Sequence, residues 1–126
     1  MSLGQFPLNL MLRTNEMTRA RRFYQETLGL REAGPNEEGT VTLQAGGSTT
    51  ITLYEGPPSK ADHTLGVFLV KNLEETIKNL KAKGVRFENY DQPELKTVNH
   101  VSTGQHHKIA WFRDPDGNFL ALMQMT

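Results

Sequence analysis

A single α+β domain assembled from two successive β-α-β-β-β modules is the fold class that the sequence predicts. Three observations predict it. An apolar stripe at helical spacing occurs once in each half, and each stripe is followed by a glycine, Gly29 or Gly84. Each stripe is preceded by one strand-like run and followed by three. Finally, Asp114-Pro115-Asp116-Gly117 has the residues of a tight turn between two strands.

Leu8 to Arg13 is the first strand-like run, and Thr14-Asn15 suits a helix N-cap. Met17, Ala20, Phe23, Tyr24 and Leu28 then recur at helical spacing, with Arg19, Arg21, Arg22 and Glu26 elsewhere around the helix. Leu30 to Ala33, Thr40 to Ala45 and Thr49 to Glu55 read as strands, separated by Pro35-Asn36 and Gly46-Gly47. Gly56 to Ser59 holds two prolines, which cannot donate to a sheet ladder, and reads as the linker between the halves. The second half repeats the plan. Leu65 to Val70 is apolar, Asn72-Leu73-Glu74-Glu75 resembles a capping box, and Leu73, Ile77 and Leu80 form the stripe. Val85 to Tyr90, His107 to Arg113 and Asn118 to Met125 are the remaining strands. Between them, about Asp91 to Gln105 is long for a loop and is expected to be a lid or locally disordered. The modules span approximately 6–56 and 63–126, within one domain of residues 1–126.

Composition narrows the function. A chain of 126 residues can bury one real core. With 14 basic and 14 acidic residues it has no field to attract nucleic acid, and no basic run with interleaved aromatics appears. No apolar run approaches the roughly 20 residues that span a bilayer, and Met1 to Phe6 has no signal-peptide pattern. The absence of cysteine excludes thiolate chemistry and fits a cytoplasmic protein. The serines lack a nucleophile motif such as Gly-x-Ser-x-Gly, and Gly46-Gly47 opens no helix that could cradle phosphate.

Phe23-Tyr24 with Leu28-Gly29, together with Asp114-Pro115-Asp116-Gly117 before the last strand, resembles the vicinal oxygen chelate superfamily over almost the whole chain. That group contains glyoxalase I, bleomycin- and fosfomycin-resistance proteins and extradiol dioxygenases. The resemblance implies strands curled into a half-open barrel around a cavity, and pairing of two chains as a homodimer. It also implies, for the superfamily's enzymes, a divalent metal held from four strands. Carried over, those positions fall at Asn9, near Thr52, near Leu65 and at Ala121. Leu and Ala offer no lone pair, and a shift of one residue supplies no ligand set. No metal or other cofactor is therefore expected.

Strand alternation assigns the faces. Leu8, Leu10 and Leu12 are expected under the helices. Asn9, Met11, Arg13, Thr52, Tyr54, Leu65, Val67, Ala121 and Met123 are expected to line the cavity and bind ligand. The lining is apolar with a few polar handles, and Arg13 is a natural carboxylate clamp. Trp111 reads as structural. His106 and His107, being adjacent, cannot share one ion on a strand; His63 and His100 have no defined role. The first reading is a metal-free, bleomycin-resistance-like protein that binds a small, largely apolar or aromatic molecule. The rivals are a metal-dependent lyase, isomerase or dioxygenase with an unfamiliar site, and a dimer with a vestigial pocket.

Overall fold

The computed structural model describes residues 2–57 and 60–126 and divides into two compact units, Met1–Ser59 and Lys60–Thr126. Pro58 and Ser59 of the expected linker lie outside the described residues. Both units are mixed α and β, each with a four-stranded sheet.

The first unit opens with a 3-10 turn, Leu3–Gln5, followed by β1 (Asn9–Thr14) and α1 (Met17–Arg21). The α1 cap differs from expectation. Glu16, not Thr14-Asn15, accepts the Arg19 N–H at 2.6 Å, while the Thr14 hydroxyl is used by the Glu16 backbone. After Arg21 the helix widens into a π-helix, Arg22–Thr27, in which the Leu28 N–H reaches back to the Phe23 carbonyl at 2.9 Å. Gly29 follows at φ 82°, the left-handed conformation expected of it. Then come β2 (Arg31–Glu32), β3 (Thr40–Gln44) and β4 (Thr50–Glu55), in the order β1-β4-β3-β2. β1 runs parallel to β4, and the hairpin β3–β4 is antiparallel. One face of this sheet is the core: Leu12, Val41, Leu43, Ile51 and Leu53 are buried, as are Ala20 and Tyr24 of the helix. Burying each such leucine stabilises the unit by about 2 kcal/mol. Leu8, expected in that core, precedes β1 and is 84% exposed.

The second unit repeats the topology with β5 (Gly66–Leu69), α2 (Leu73–Ala82), β6 (Asp91–Gln92), β7 (Leu95–Lys96), β8 (Ser102–Thr103), β9 (His107–Arg113) and β10 (Phe119–Met125). Its main sheet has the order β5-β10-β9-β8, with β5 parallel to β10. Asn72 caps α2 by accepting the Glu75 N–H at 3.1 Å. Leu73, Ile77, Val85, Phe87, Ala110, Phe112, Leu120 and Leu122 are buried in this unit.

Two expectations are corrected here. Val85–Tyr90 is not a strand: Phe87 makes a lone bridge to Phe112, and the Glu88 N–H bonds the Trp111 carbonyl at 2.8 Å. The edge of β9 is shared, because β8 takes its other end through Ser102 and Thr103. The 91–105 segment is also no structureless loop. β6 and β7 pair around Pro93-Glu94, and Val98 and Val101 bond each other across Asn99-His100. Both of these turn residues have positive φ, 52° and 74°. That is the geometry of a type I′ turn, where the second position usually belongs to glycine, and a histidine there costs about 1 kcal/mol.

The β9–β10 turn forms as its residues predict. The Gly117 N–H bonds the Asp114 carbonyl at 3.0 Å, with Gly117 at φ 82°. The buried Asp114 carboxylate ties the turn down: Oδ1 accepts from the backbone N–H of Asp116 and of Asn118, each at 2.9 Å, and Oδ2 accepts the Asn118 amide at 2.8 Å.

Candidate functional site

Each sheet has a buried face and an opposite face left open by its own helix. Of the expected site residues, those within strands lie in rows on these faces, whereas Leu65 lies outside any strand.

In the first unit, pairing in register places Asn9 beside Thr50, Met11 beside Thr52 and Arg13 beside Tyr54. β3 adds Thr40, Thr42 and Gln44 opposite Tyr54, Thr52 and Thr50. The burial pattern agrees: Asn9 and Met11 are exposed and Arg13 half-buried, while Leu12 is buried. This face is a hydroxyl and amide array. Asn9 Nδ2 donates to Thr50 Oγ1 at 2.6 Å and to Thr52 Oγ1 at 3.2 Å, and the Thr42 and Thr52 hydroxyls share a bond of 2.9 Å. With its amide protons so used, Asn9 presents Oδ1, an acceptor. The Arg13 stem runs along Gly56, where a Cβ would come within 3.3 Å of Arg13 Cδ. A Cβ at residue 56 would require the Arg13 side chain to give by a few tenths of an ångström.

The open face of the second sheet is different in kind. Val67, Ala121 and Trp111 form one row across it, and Leu69, Met123 and Ile109 the next. Leu65 precedes β5, its N–H bonded to the Phe119 carbonyl at 2.8 Å. Ala121 has no exposed surface, so what it contributes to this face is the space its small side chain leaves beside Trp111. Val67 is 43% and Leu69 74% exposed.

Sequence reasoning missed the aromatic character of this face. Trp111 is half-buried, its indole N–H donates to Thr64 Oγ1 at 3.1 Å, and Tyr90 packs edge-on against it with centroids 5.4 Å apart. The ring is therefore fixed and its only polar atom is already satisfied. At the end of the face, Arg113 lies over the Phe119 ring at 4.7 Å and donates Nε to Glu88 Oε1 at 3.0 Å. Burial raises the Tyr90 phenol above its ordinary value, as does the Glu88 charge, with Arg113 opposing. A signal for Trp111 existed: the turn at Asp114–Gly117 sets the hairpin register, which pairs Ala121 with Trp111.

The histidines are dispersed. His107 lies on the open face beside Met125, its ring against the Gly104 backbone, where a Cβ would meet Cε1 at 2.9 Å. His106 is exposed outside the strand, and exposed His63 lies 3.6 Å from Asp62. Among the described residues no three His, Cys, Asp or Glu side chains are grouped so as to hold a metal ion. The four positions carried over for a metal present an amide and a hydroxyl, already bonded to each other at 3.2 Å, and two aliphatic side chains. That donor set does not fit a divalent metal.

The family model described as "Glyoxalase/Bleomycin resistance protein/Dioxygenase superfamily" matches residues 8–122. The chain belongs to this superfamily. A search of curated proteins finds no match. Solved structures of the same fold are numerous. A glyoxalase family protein from Bacillus anthracis is 20% identical, with a TM-score of 0.74, over 97% of this chain and 96% of that one. TnmS3, an antibiotic binding protein from a Streptomyces species, is 20% identical with a TM-score of 0.72 over 96% of each chain. The fosfomycin resistance protein FosX of Mesorhizobium loti is 11% identical with a TM-score of 0.67, over 94% of this chain and 91% of that one. At 11% to 20% identity, these three likenesses show the fold alone.

Proposed function

We propose that this chain is a metal-free binding protein for a small, largely apolar or aromatic molecule, held on the open face of the second sheet. One observation carries the reading: the Trp111 ring is fixed in an apolar row with Val67 and Ala121, its N–H already spent on Thr64. Such a surface rewards planar apolar contact and has little to offer a naked phosphate or a chelated diol. A solved structure of the same fold belongs to an antibiotic binding protein, which lends the reading support in kind. The first sheet's open face, with Asn9, Met11, Arg13, Thr52 and Tyr54, is a second and more polar candidate surface. We assign it hydrogen-bonding rather than stacking contacts.

Trp111 is the only tryptophan, so its emission reports directly on the proposed site. Planar aromatic probes, titrated against saturated rings of equal size, should change that emission saturably, with matching heats in calorimetry. Val67→Glu, which places a charge on an exposed part of the same row, should weaken binding by about tenfold or more while the fold is retained. Binding of no probe, or equal binding by the Val67→Glu protein, would sink the proposal.

A further inference from the structure

The 91–103 segment and α2 meet at a feature that plays no part in that reading. A hollow of about 370 Å³ on the second unit is lined by Glu74, Ile77, Lys78 and Lys81 of α2 and by Asn99 and His100 of the hairpin tip. Its charges are arranged in an unusual way. Glu74 stands four residues before Lys78, the spacing of a helical ion pair, yet its carboxylate is bonded to Lys108 at 2.7 Å. Neither Lys78 nor Lys81 has an acidic partner within ion-pair distance among the described residues.

His100 organises this hollow. Its backbone N–H donates to Asn89 Oδ1 at 3.1 Å, and its Nδ1 lies 3.3 Å from the Glu88 carbonyl. A carbonyl only accepts, so Nδ1 carries the proton, and Nε2 is left to accept from Lys81 Nζ at 3.1 Å. The imidazole thereby holds the Lys81 ammonium in place without neutralising it. Asn99, beside it on the turn, brings an amide that can donate.

We infer that this hollow binds a phosphate group, as free phosphate or as a small phosphate monoester, through Lys78, Lys81 and Asn99. Two ammonium groups match a dianion, and Glu74, the one carboxylate among the described lining residues, is already offset by Lys108. The same two charges exclude a metal cation. Ile77 supplies an apolar wall, and the volume leaves room for an organic group on the phosphate.

The test is calorimetric titration of the full chain with inorganic phosphate and with phenyl phosphate, at constant ionic strength set by chloride. The inference expects saturable binding with a dissociation constant of about 1 mM or tighter for at least one of them. Equal affinities would place recognition in the phosphate alone, and tighter ester binding would assign a phosphorylated small molecule. The Lys78→Gln/Lys81→Gln protein should bind about tenfold or more weakly with an unchanged melting temperature. His100→Gly suits the turn, so it should fold at least as stably yet bind about threefold more weakly, because Lys81 loses its anchor. No saturable binding of either probe, or full binding by the double lysine variant, would overturn the inference.

Discussion

Trp111 and Asp114 stand three positions apart at one end of the β9–β10 hairpin and show how differently two legible residues can read. Asp114 has the role that its turn position announces, and its burial makes that role costly to remove. With three donors on its carboxylate, Asp114→Ala leaves two backbone N–H groups and the Asn118 amide without their acceptor. It should lower stability by about 3 kcal/mol, seen as an earlier urea midpoint with an unchanged slope. Trp111 reads as buried sheet because Ile109 and Ala110 precede it. Alternation alone cannot say which face of a strand is covered, and only Ala110 proves to be fully buried. Arg13 keeps its expected face, but the contact that shapes it, the close approach of Gly56, joins strand ends 43 positions apart and leaves no local mark.

At the scale of elements, α2 was fully legible because its cap, stripe and terminating glycine all agree. Its attachment to the sheet was not. Lys108 of β9 donates to Glu74 at 2.7 Å, and that hydrogen bond, ahead of the attraction between the charges, holds the Glu74 carboxyl below its ordinary value of 4.5. A carboxyl lowered in the folded state adds stability above its unfolded pKa and loses it as pH falls through the folded one. The pair is exposed, so Glu74→Gln should cost only about 0.5 kcal/mol at neutral pH. The gap between it and the unaltered protein should close as acid titrates the carboxylate, measured by urea unfolding across pH. The helix of the first unit was legible in place but not in pitch. Over so few residues an apolar stripe does not separate 3.6 residues per turn from the wider turn of Arg22–Thr27. The 91–105 segment looked structureless because its paired stretches are two residues each, too short for any alternation to register.

On the scale of the molecule, the two units carry one topology. In each, an opening edge strand lies parallel to the closing strand, with a helix between them. Parallel pairing demands a crossover, and the helix supplies it while covering one face of the sheet. The other face stays uncovered by that helix, hydroxyl-rich in the first unit and bearing Trp111 and Phe119 in the second. Neither the proposed aromatic site nor the phosphate hollow calls on a metal. Purified protein offered Zn²⁺, Ni²⁺, Mn²⁺ or Fe²⁺ should accordingly gain no concentration-dependent rise in melting temperature, and elemental analysis should find no stoichiometric ion. A stoichiometric ion would restore the enzyme reading.

By itself the sequence determined the module plan, the place of both helices, the turn at Asp114–Gly117 and the alternation that sorts each strand into two faces. Period and turn chemistry are properties of neighbouring residues, so they survive without the fold. Only the tertiary structure decided which face of Trp111 is open, where Glu74 finds its cation and how His100 comes to hold Lys81. Each of those depends on strand register or on the packing of segments distant in sequence, and residues so far apart constrain one another only once the chain has folded.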